Sequence, residues 1–161
     1  MNPRDTLTFR PAQSPEARAM ARMSRDLIET GLDWRYTPNR IAMLMGDPET
    51  VALVACDAWG LHGFAVMQFG DEHAHLALLC VDPKQQRRGI GRCLTEWLIE
   101  SAQVAGIARI ELELRADNEP ALAFYRRLGF AQTRVVPGYY RQNLAARCMV
   151  RWLRPELGPA P

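Results

Sequence analysis

Three stretches of this 161-residue sequence predict an α/β (α+β) domain built on a mixed, mostly antiparallel sheet. Ala74–Val81 (AHLALLCV) is a nearly continuous apolar run, as expected of a central strand covered on both faces. Gly91–Ala105 places Leu94, Trp97, Leu98, Ser101, Ala102 and Ala105 on one helical stripe. Ile110, Leu112 and Leu114 then alternate with Glu111 and Glu113, the two-residue period of a strand.

The remaining elements follow from local signals. Leu7–Arg10 is a short strand. Ser14 followed by Pro15 suits a helix N-cap and first position, and Ala17, Met20, Ala21, Met23, Leu27 and Ile28 carry helical spacing up to Gly31. Pro38–Met45 reads as a second short helix closed by Gly46 and Pro48. Thr50–Ala55 and Gly63–Phe69 are strand-like, joined through a turn at Asp57–Gly60. Gly106 stops the long helix. Asn118 caps the next one, with Pro120 in its first turn and Gly129 just past its end. Thr133–Val136 and Ala145–Leu153 form two last strands around a Pro137–Gly138 break. The resulting order, β-α-α-β-β-β-α-β-α-β-β, predicts one domain over residues 1–154, with Pro155–Pro161 as a loose tail.

Composition excludes several function classes. Apolar residues make up 48% and charged residues 24%, the balance of an ordinary globular chain. No apolar run reaches the ~18 residues of a membrane span. The charged N-terminus lacks the apolar core of a secretory signal, so a cytoplasmic location is expected. A net charge of +2 does not imply nucleic-acid binding. The arginines 126, 127, 134, 141, 147 and 151 are spread over several elements without a recognised RNA or DNA module. Cys56, Cys80, Cys93 and Cys148 lack paired spacing and mostly sit in apolar runs, so buried thiols are expected rather than zinc or disulfides. His73 and His75 share a strand face, but with no third ligand in view no metal site is expected; strand-edge polar residues are the reading.

The densest signal is Val81-Asp-Pro-Lys-Gln-Gln-Arg-Arg-Gly-Ile-Gly-Arg92. A strand ends, a short loop follows and a long helix begins. Gly89 and Gly91 remove side chains where a ligand can approach the backbone, and the helix start presents unpaired N–H groups to an anion. Lys84, Arg87, Arg88 and Arg92 add cationic charge, so a phosphorylated ligand is the natural occupant. A Walker loop is excluded because no Gly-Lys-Ser/Thr follows, and a dinucleotide fingerprint because Leu94 stands where its third glycine belongs. The plainer reading is a basic, solvated turn.

Gln86-Arg-Arg-Gly89-Ile-Gly91 matches the Q/R-x-x-G-x-G/A motif and resembles the GNAT superfamily of N-acetyltransferases. Leu112-Glu-Leu-Arg-Ala-Asp-Asn-Glu-Pro-Ala-Leu-Ala-Phe-Tyr-Arg-Arg-Leu-Gly-Phe130 resembles that family's next strand–helix unit. Together the two cover about Ala74–Phe130. The resemblance implies a GNAT-like fold of six to seven strands and about four helices, with acetyl-CoA as co-substrate. It further implies that the loop amides over Gln86, Arg87, Arg88, Gly89, Ile90, Gly91 and Arg92 hold the pyrophosphate, and that Leu79, Cys80 and Val81 pair with the pantetheine arm. Within the superfamily the chain is most similar to bacterial ribosomal-protein alanine N-acetyltransferases. By position, that similarity implies Glu113 as general base, Asn118 as a cofactor contact and Tyr125 as general acid, the last also beside the cofactor. Those enzymes usually carry acidic residues after the paired tyrosines, whereas here Tyr139-Tyr140 is followed by Arg141.

The residues also fit the chemistry. Acyl transfer from a thioester to an amine needs a base to remove the ammonium proton, a donor for the developing oxyanion and an acid for the departing thiolate. Glu113 is a carboxylate on an otherwise apolar strand, acting directly or through water, or else an ion-pair partner of a nearby arginine. Tyr125 is a phenol on the helix beside that strand, or a core aromatic sharing a face with Ala121 and Leu128. The resemblance implies that the segment of Trp34 and Tyr36 frames the acceptor site, with Tyr139 and Tyr140 as candidates for its other side and Glu29 and Asp33 as candidate attractors of a cationic amine. An N-acetyltransferase acting on a protein N-terminus or a small-molecule amine, as monomer or homodimer, is therefore expected. The alternative is a non-catalytic acyl-CoA sensor.

Overall fold

The computed structural model describes residues 6–154. The strands are β1 (Thr8–Pro11), β2 (Thr50–Asp57), β3 (Gly60–Phe69), β4 (His73–Val81), β5 (Arg109–Arg115), β6 (Ala131–Arg141) and β7 (Leu144–Trp152). The helices are α1 (Ala17–Met23), α2 (Pro38–Gly46), α3 (Ile90–Val104) and α4 (Glu119–Arg127). All seven strands join one sheet in the order β1-β2-β3-β4-β5-β7-β6. The β4–β5 pair is parallel, and each other pair whose register is described is antiparallel. Among the described residues no helix is long and apolar enough to cross a membrane.

Contacts divide the chain into two units, with β4 and α3 contributing to both. The first comprises residues up to Gln68 together with Ala77–Leu98. Its core gathers Met20 and Ala21 of α1, Ile41 of α2, Val54 of β2, Phe64 and Val66 of β3, and Leu78 and Cys80 of β4, all buried. The β2–β3 hairpin turns at Asp57–Gly60 as expected, although both strands run further into the turn than the sequence suggests. Its first helical segment starts not with a cap at Ser14 but at Gln13, whose backbone N–H donates to the Glu16 carboxylate at 2.7 Å. A single 3-10 turn (Ser14–Glu16) precedes α1, and a π-helical turn (Ser24–Ile28) ends the segment. At α2, Thr37 is the cap, its hydroxyl accepting from Arg40 N–H at 3.3 Å.

The second unit comprises Phe69–Leu76 and the residues from Ile99 onward. Here β5 is the organising strand. It pairs with β4 over His73–His75 and with β7 along its whole length. Ile110, Leu112 and Leu114 are buried on one face, while Glu111 and Glu113 lie half-buried on the other. α4 is capped by Asn118, whose side-chain oxygen accepts from Ala121 N–H at 3.1 Å. At its other end the Arg151 guanidinium donates to the Leu128 carbonyl at 2.8 Å, satisfying an orphan acceptor where the helix dipole favours a cation.

Three expectations need correction. β4 is not buried on both faces: burial alternates, leaving Ala77, Leu79 and Val81 half-buried on one side. The buried stripe of α3 includes Ile90, Leu94, Leu98, Ile99 and Ala102, whereas Trp97 and Ala105 are exposed. Pro137–Gly138 does not break β6, because β6 ends the strand order, where a missing N–H costs no ladder bond, and the irregularity is absorbed as a register shift. Of the four thiols only Cys80 is fully buried, and Cys93 is exposed on α3. The tail expected over Pro155–Pro161 lies outside the described residues.

Gly63 shows how tightly β3 is held against the start of α3. A Cβ at this position would sit 2.8 Å from Ile90 Cγ2 and 3.1 Å from the Cys80 carbonyl oxygen. Gly63→Ala is therefore expected to destabilise the chain by about 1–3 kcal/mol through overpacking, read as a lower midpoint in urea with unchanged slope. Unchanged stability would show that α3 yields at its first turn.

Candidate functional site

In the first unit, β4 hands over to α3 through the glycine-bearing loop. Asp82 opens it, its carboxylate accepting from Lys84 N–H at 2.9 Å, and a 3-10 turn covers Pro83–Gln85. Arg87 then adopts a left-handed conformation at φ 70, which costs a side-chain-bearing residue about 1 kcal/mol. Gly89 repeats the left-handed step at φ 72, where glycine carries no penalty. Alternation of this kind turns successive amides toward one side, the geometry of an anion nest. The first bond of α3 runs from Cys93 N–H to the Gly89 carbonyl at 2.9 Å. The amides of Ile90, Gly91 and Arg92 precede it and have no intrahelical acceptor.

The cations of this loop are unevenly available. Arg92 donates to Glu96 one turn along α3 at 2.8 Å, on the solvent side. Arg88 donates to Gln85 at 2.7 Å and stands 3.7 Å from Asp57 of the β2–β3 turn. Asp57 has only 3% of its side chain exposed and lies 2.7 Å from His62 Nε2. Burial pushes its carboxyl up, but the His62 hydrogen bond, the Trp59 N–H and the nearby charges of His62 and Arg88 outweigh this, so it sits below the usual carboxylate range. This buried Asp57–His62 pair beneath the loop was not singled out from the sequence. The only trace is an aspartate at a hairpin turn with a histidine five positions on, joined by strand pairing.

Of the three β4 residues expected to meet the pantetheine arm, Leu79 and Val81 show half-buried side chains on the open face. Cys80 points the other way, with its thiol 3.7 Å from the Met23 carbonyl. Burial, then the charge of Asp82, pushes that thiol up to about 12, so Cys80 offers a ligand its backbone and no reactive sulfur. Trp34 and Tyr36 flank the segment between α1 and α2. The Trp34 indole donates to the Ala21 carbonyl at 3.2 Å, and Arg40 stacks 4.4 Å over the Tyr36 ring. Glu29 is not an attractor for a cationic amine. Its buried carboxylate accepts from Ser24 Oγ at 2.9 Å and from the N–H groups of Arg35 and Tyr36 at 2.7 and 3.2 Å, tying this segment together. Asp33 is exposed.

In the second unit, the same face of β4 and β5 presents two histidine–carboxylate pairs. His75 Nε2 lies 2.5 Å from Glu113 Oε2. His73 Nε2 lies 3.7 Å from Glu111, which also accepts from Arg109 at 2.8 Å. Glu113 thus pairs with an imidazole rather than with Arg115, which stands 3.8 Å from Asp117. An open groove of about 630 Å³ runs over this face, lined by Glu113, Arg109, Thr133, Arg134, Cys148 and Trp152 among others. Tyr140 is half-buried, edge-on to Tyr139 with centroids 4.8 Å apart. Burial raises its phenol well above the usual range, aided by Tyr139 and by the charge of Glu113.

Tyr125 is buried and packs edge-on against Phe124 and Phe130, with centroids 5.1 and 5.6 Å away. Burial, then Tyr140, pushes its phenol far up, so it carries its proton at any physiological pH. Core packing and proton donation are thus both compatible with its position. Asn118 performs its cap role, and Arg147 donates to the Ala116 carbonyl at 2.9 Å, bracing the turn that leads to it. Arg151 likewise donates to the Leu128 carbonyl at 2.8 Å. Among the described residues, no three His, Cys, Asp or Glu side chains gather to hold a metal.

Comparisons with known proteins agree with this architecture. The [Ribosomal protein bS18]-alanine N-acetyltransferase of Escherichia coli K12 is 42% identical over 77 residues, covering 48% of this chain and 52% of that protein. The chain thus spans about half the length of the curated relatives it matches. Among solved structures, Ard1 from Thermoplasma volcanium superposes with a TM-score of 0.80 at 26% identity, covering 91% of this chain and 97% of that one. The ribosomal-protein-S18-alanine N-acetyltransferase from Escherichia coli gives 0.78 at 25% identity, covering 92% and 94%. The model of the acetyltransferase (GNAT) family matches residues 15–130, so the chain belongs to that family.

Proposed function

We propose that this chain moves an acetyl group from acetyl-CoA to a primary amine by direct attack in a ternary complex. The observation that carries the reading is the row of amides at Ile90, Gly91 and Arg92, left without intrahelical acceptors behind two left-handed residues. A pyrophosphate supplies the acceptors this backbone lacks. Arg88 adds a cation braced by Gln85 and Asp57, and the open face of Ala77, Leu79 and Val81 offers an apolar track beside strand amides. No metal is required. Membership of the GNAT family and the names of the relatives, one acting on a ribosomal-protein alanine, support this chemistry.

Glu113 accepts the ammonium proton, leaving a neutral amine to attack the thioester carbon. A main-chain N–H of β4 holds the oxyanion while the C–N bond forms. As the C–S bond breaks, Tyr125, which burial keeps protonated, supplies a proton to the departing sulfur, and the remaining extra proton on the new amide nitrogen is released to restore the phenol. The acceptor is a protein N-terminus or a small-molecule amine, with Trp34, Tyr36, Tyr139 and Tyr140 as candidate contacts, and the cytoplasm is the compartment this reading assigns to the reaction.

Acetyl-CoA at about 100 times its dissociation constant is expected to add about 2.7 kcal/mol of stability, seen as a raised Tm. Gly89→Val, forced to φ 72 with a β-branched side chain, should lose most of that shift. No shift in the parent chain would remove the cofactor assignment. A thiol-release assay against amines and N-terminal peptides should show amine-dependent turnover, and Tyr125→Phe should lower kcat about 10- to 100-fold while leaving the acetyl-CoA Kd within twofold. Equal losses in kcat and affinity would make Tyr125 a packing residue. Normal cofactor binding without release for any amine would identify a sensor.

A further inference from the structure

We infer that Arg134 selects the acceptor: the substrate is an amine with an anionic group about one residue away, the amine meeting Glu113 and the anion meeting the Arg134 guanidinium. This rests on the acetyltransfer reading above. Three strands set the two charges in one row. Glu113 of β5 stands opposite Cys148 of β7, and Cys148 stands opposite Arg134 of β6. Directly opposed residues share a sheet face, and all three line the same open groove. Neighbouring strands lie roughly 4.8 Å apart, so about 10 Å of sheet separates the backbones of Glu113 and Arg134. Both side chains are long, and the space between their charged ends suits a dipolar fragment of amino-acid size.

A β-bulge brings Arg134 onto this face. Gln132 pairs with Met149 and Arg134 with Cys148, so two steps along β6 match one step along β7, and Thr133 is the extra residue. Strict alternation from Gln132 would put Thr133 alone opposite Cys148 and turn Arg134 toward the face of Met149, which is 1% exposed. The bulge sends both Thr133 and Arg134 to the groove instead. The Thr133 hydroxyl donates to the Cys148 carbonyl at 3.3 Å and fastens the irregular step.

The other charges on these strands already have partners. Arg109 donates to Glu111 at 2.8 Å and stacks 5.5 Å from the Trp152 ring centroid. Arg147 and Arg151 of β7 donate to the carbonyls of Ala116 and Leu128. Glu113 stands beside His75 with about a quarter of its side chain exposed, so it is the acidic end of the row. Arg134 is exposed and, among the described residues, has no hydrogen bond or ion pair. Over Ala131–Arg141 its strand carries two arginines and no acid. Charge across the groove therefore runs from carboxylate on β5 to guanidinium on β6. A carboxylate beside the amine matches the planar guanidinium fork, whereas a basic neighbour is repelled by it.

The test measures thiol release by the full chain from acetyl-CoA with the tetrapeptide amides Ala-Asp-Ala-Ala, Ala-Ala-Ala-Ala and Ala-Lys-Ala-Ala. A second series compares dialanine bearing a free carboxylate with dialanine amide. The aspartyl peptide is expected to exceed the lysyl peptide about 10-fold in kcat/KM, mainly through KM, with the alanyl peptide between them. Arg134→Glu should invert the order, and Arg134→Gln should level it, which keeps the test open if charge reversal destabilises the strand. Arg127→Glu on α4, outside the groove lining, makes the same change in net charge and should keep the parent order. A preference among the tetrapeptides assigns the anion to a peptide side chain, and one confined to the dialanine pair assigns it to free amino compounds; either supports the selection. Equal kcat/KM within both series, an order that survives Arg134→Glu, or one that Arg127→Glu inverts as fully, overturns the role of Arg134 and leaves acetyltransfer standing. A parent chain that binds acetyl-CoA yet releases no thiol with any amine overturns the acetyltransfer reading and this selection with it.

Discussion

A helix must begin somewhere, and the amides of its first turn have no carbonyl to bond. Most of the first unit is arranged around that constraint at α3. Arg87 and Gly89 take left-handed conformations just before these amides, and Ile90 anchors the helix start against a glycine-wide gap at Gly63. The buried carboxylate of Asp57 restrains Arg88 from below. Each feature carries a cost in isolation: a non-glycine residue at positive φ, a strand glycine with no side chain to pack, and a carboxylate away from water. They coexist because each supports the same exposed edge of backbone.

Electrostatics across the two units follow a different rule. Three histidines occur in the chain, and each stands beside a carboxylate: His62 with Asp57, His73 with Glu111 and His75 with Glu113. Surroundings differentiate them. Asp57 is shut away from water, Glu111 is shared with an arginine, and Glu113 opens onto a groove. Only the last combination joins a histidine–carboxylate pair to an open groove, and it does so on strand backbone rather than on a loop.

The departures from the sequence reading share a cause. Pro137–Gly138 looks like a break until β6 proves to be the last strand, where a lost donor faces no partner. Trp97 falls on the helical stripe by period but stays exposed, because the contact surface of α3 is turned toward Leu94, Leu98, Ile99 and Ala102. Glu29 resembles a surface attractor for amines until its carboxylate closes on three donors and becomes the knot of its segment. In each case the local pattern is real and the neighbour decides its meaning.

Local rules were enough to locate the strands and helices and the glycine-bearing loop, since hydrophobic period, caps and left-handed positions act within a few residues. Gln86–Arg92 and the strand bearing Glu113 are therefore visible in the letters alone. What only tertiary structure decided is pairing. His75 and Glu113 are 38 positions apart, and nothing in either neighbourhood foretells that parallel register would bring imidazole to carboxylate. The same holds for Asp57 beneath Arg88, which meets it across a hairpin and a loop. Charge partners are selected by strand register and burial, which depend on the whole sheet, whereas an amide's need for an acceptor is already written where the helix begins.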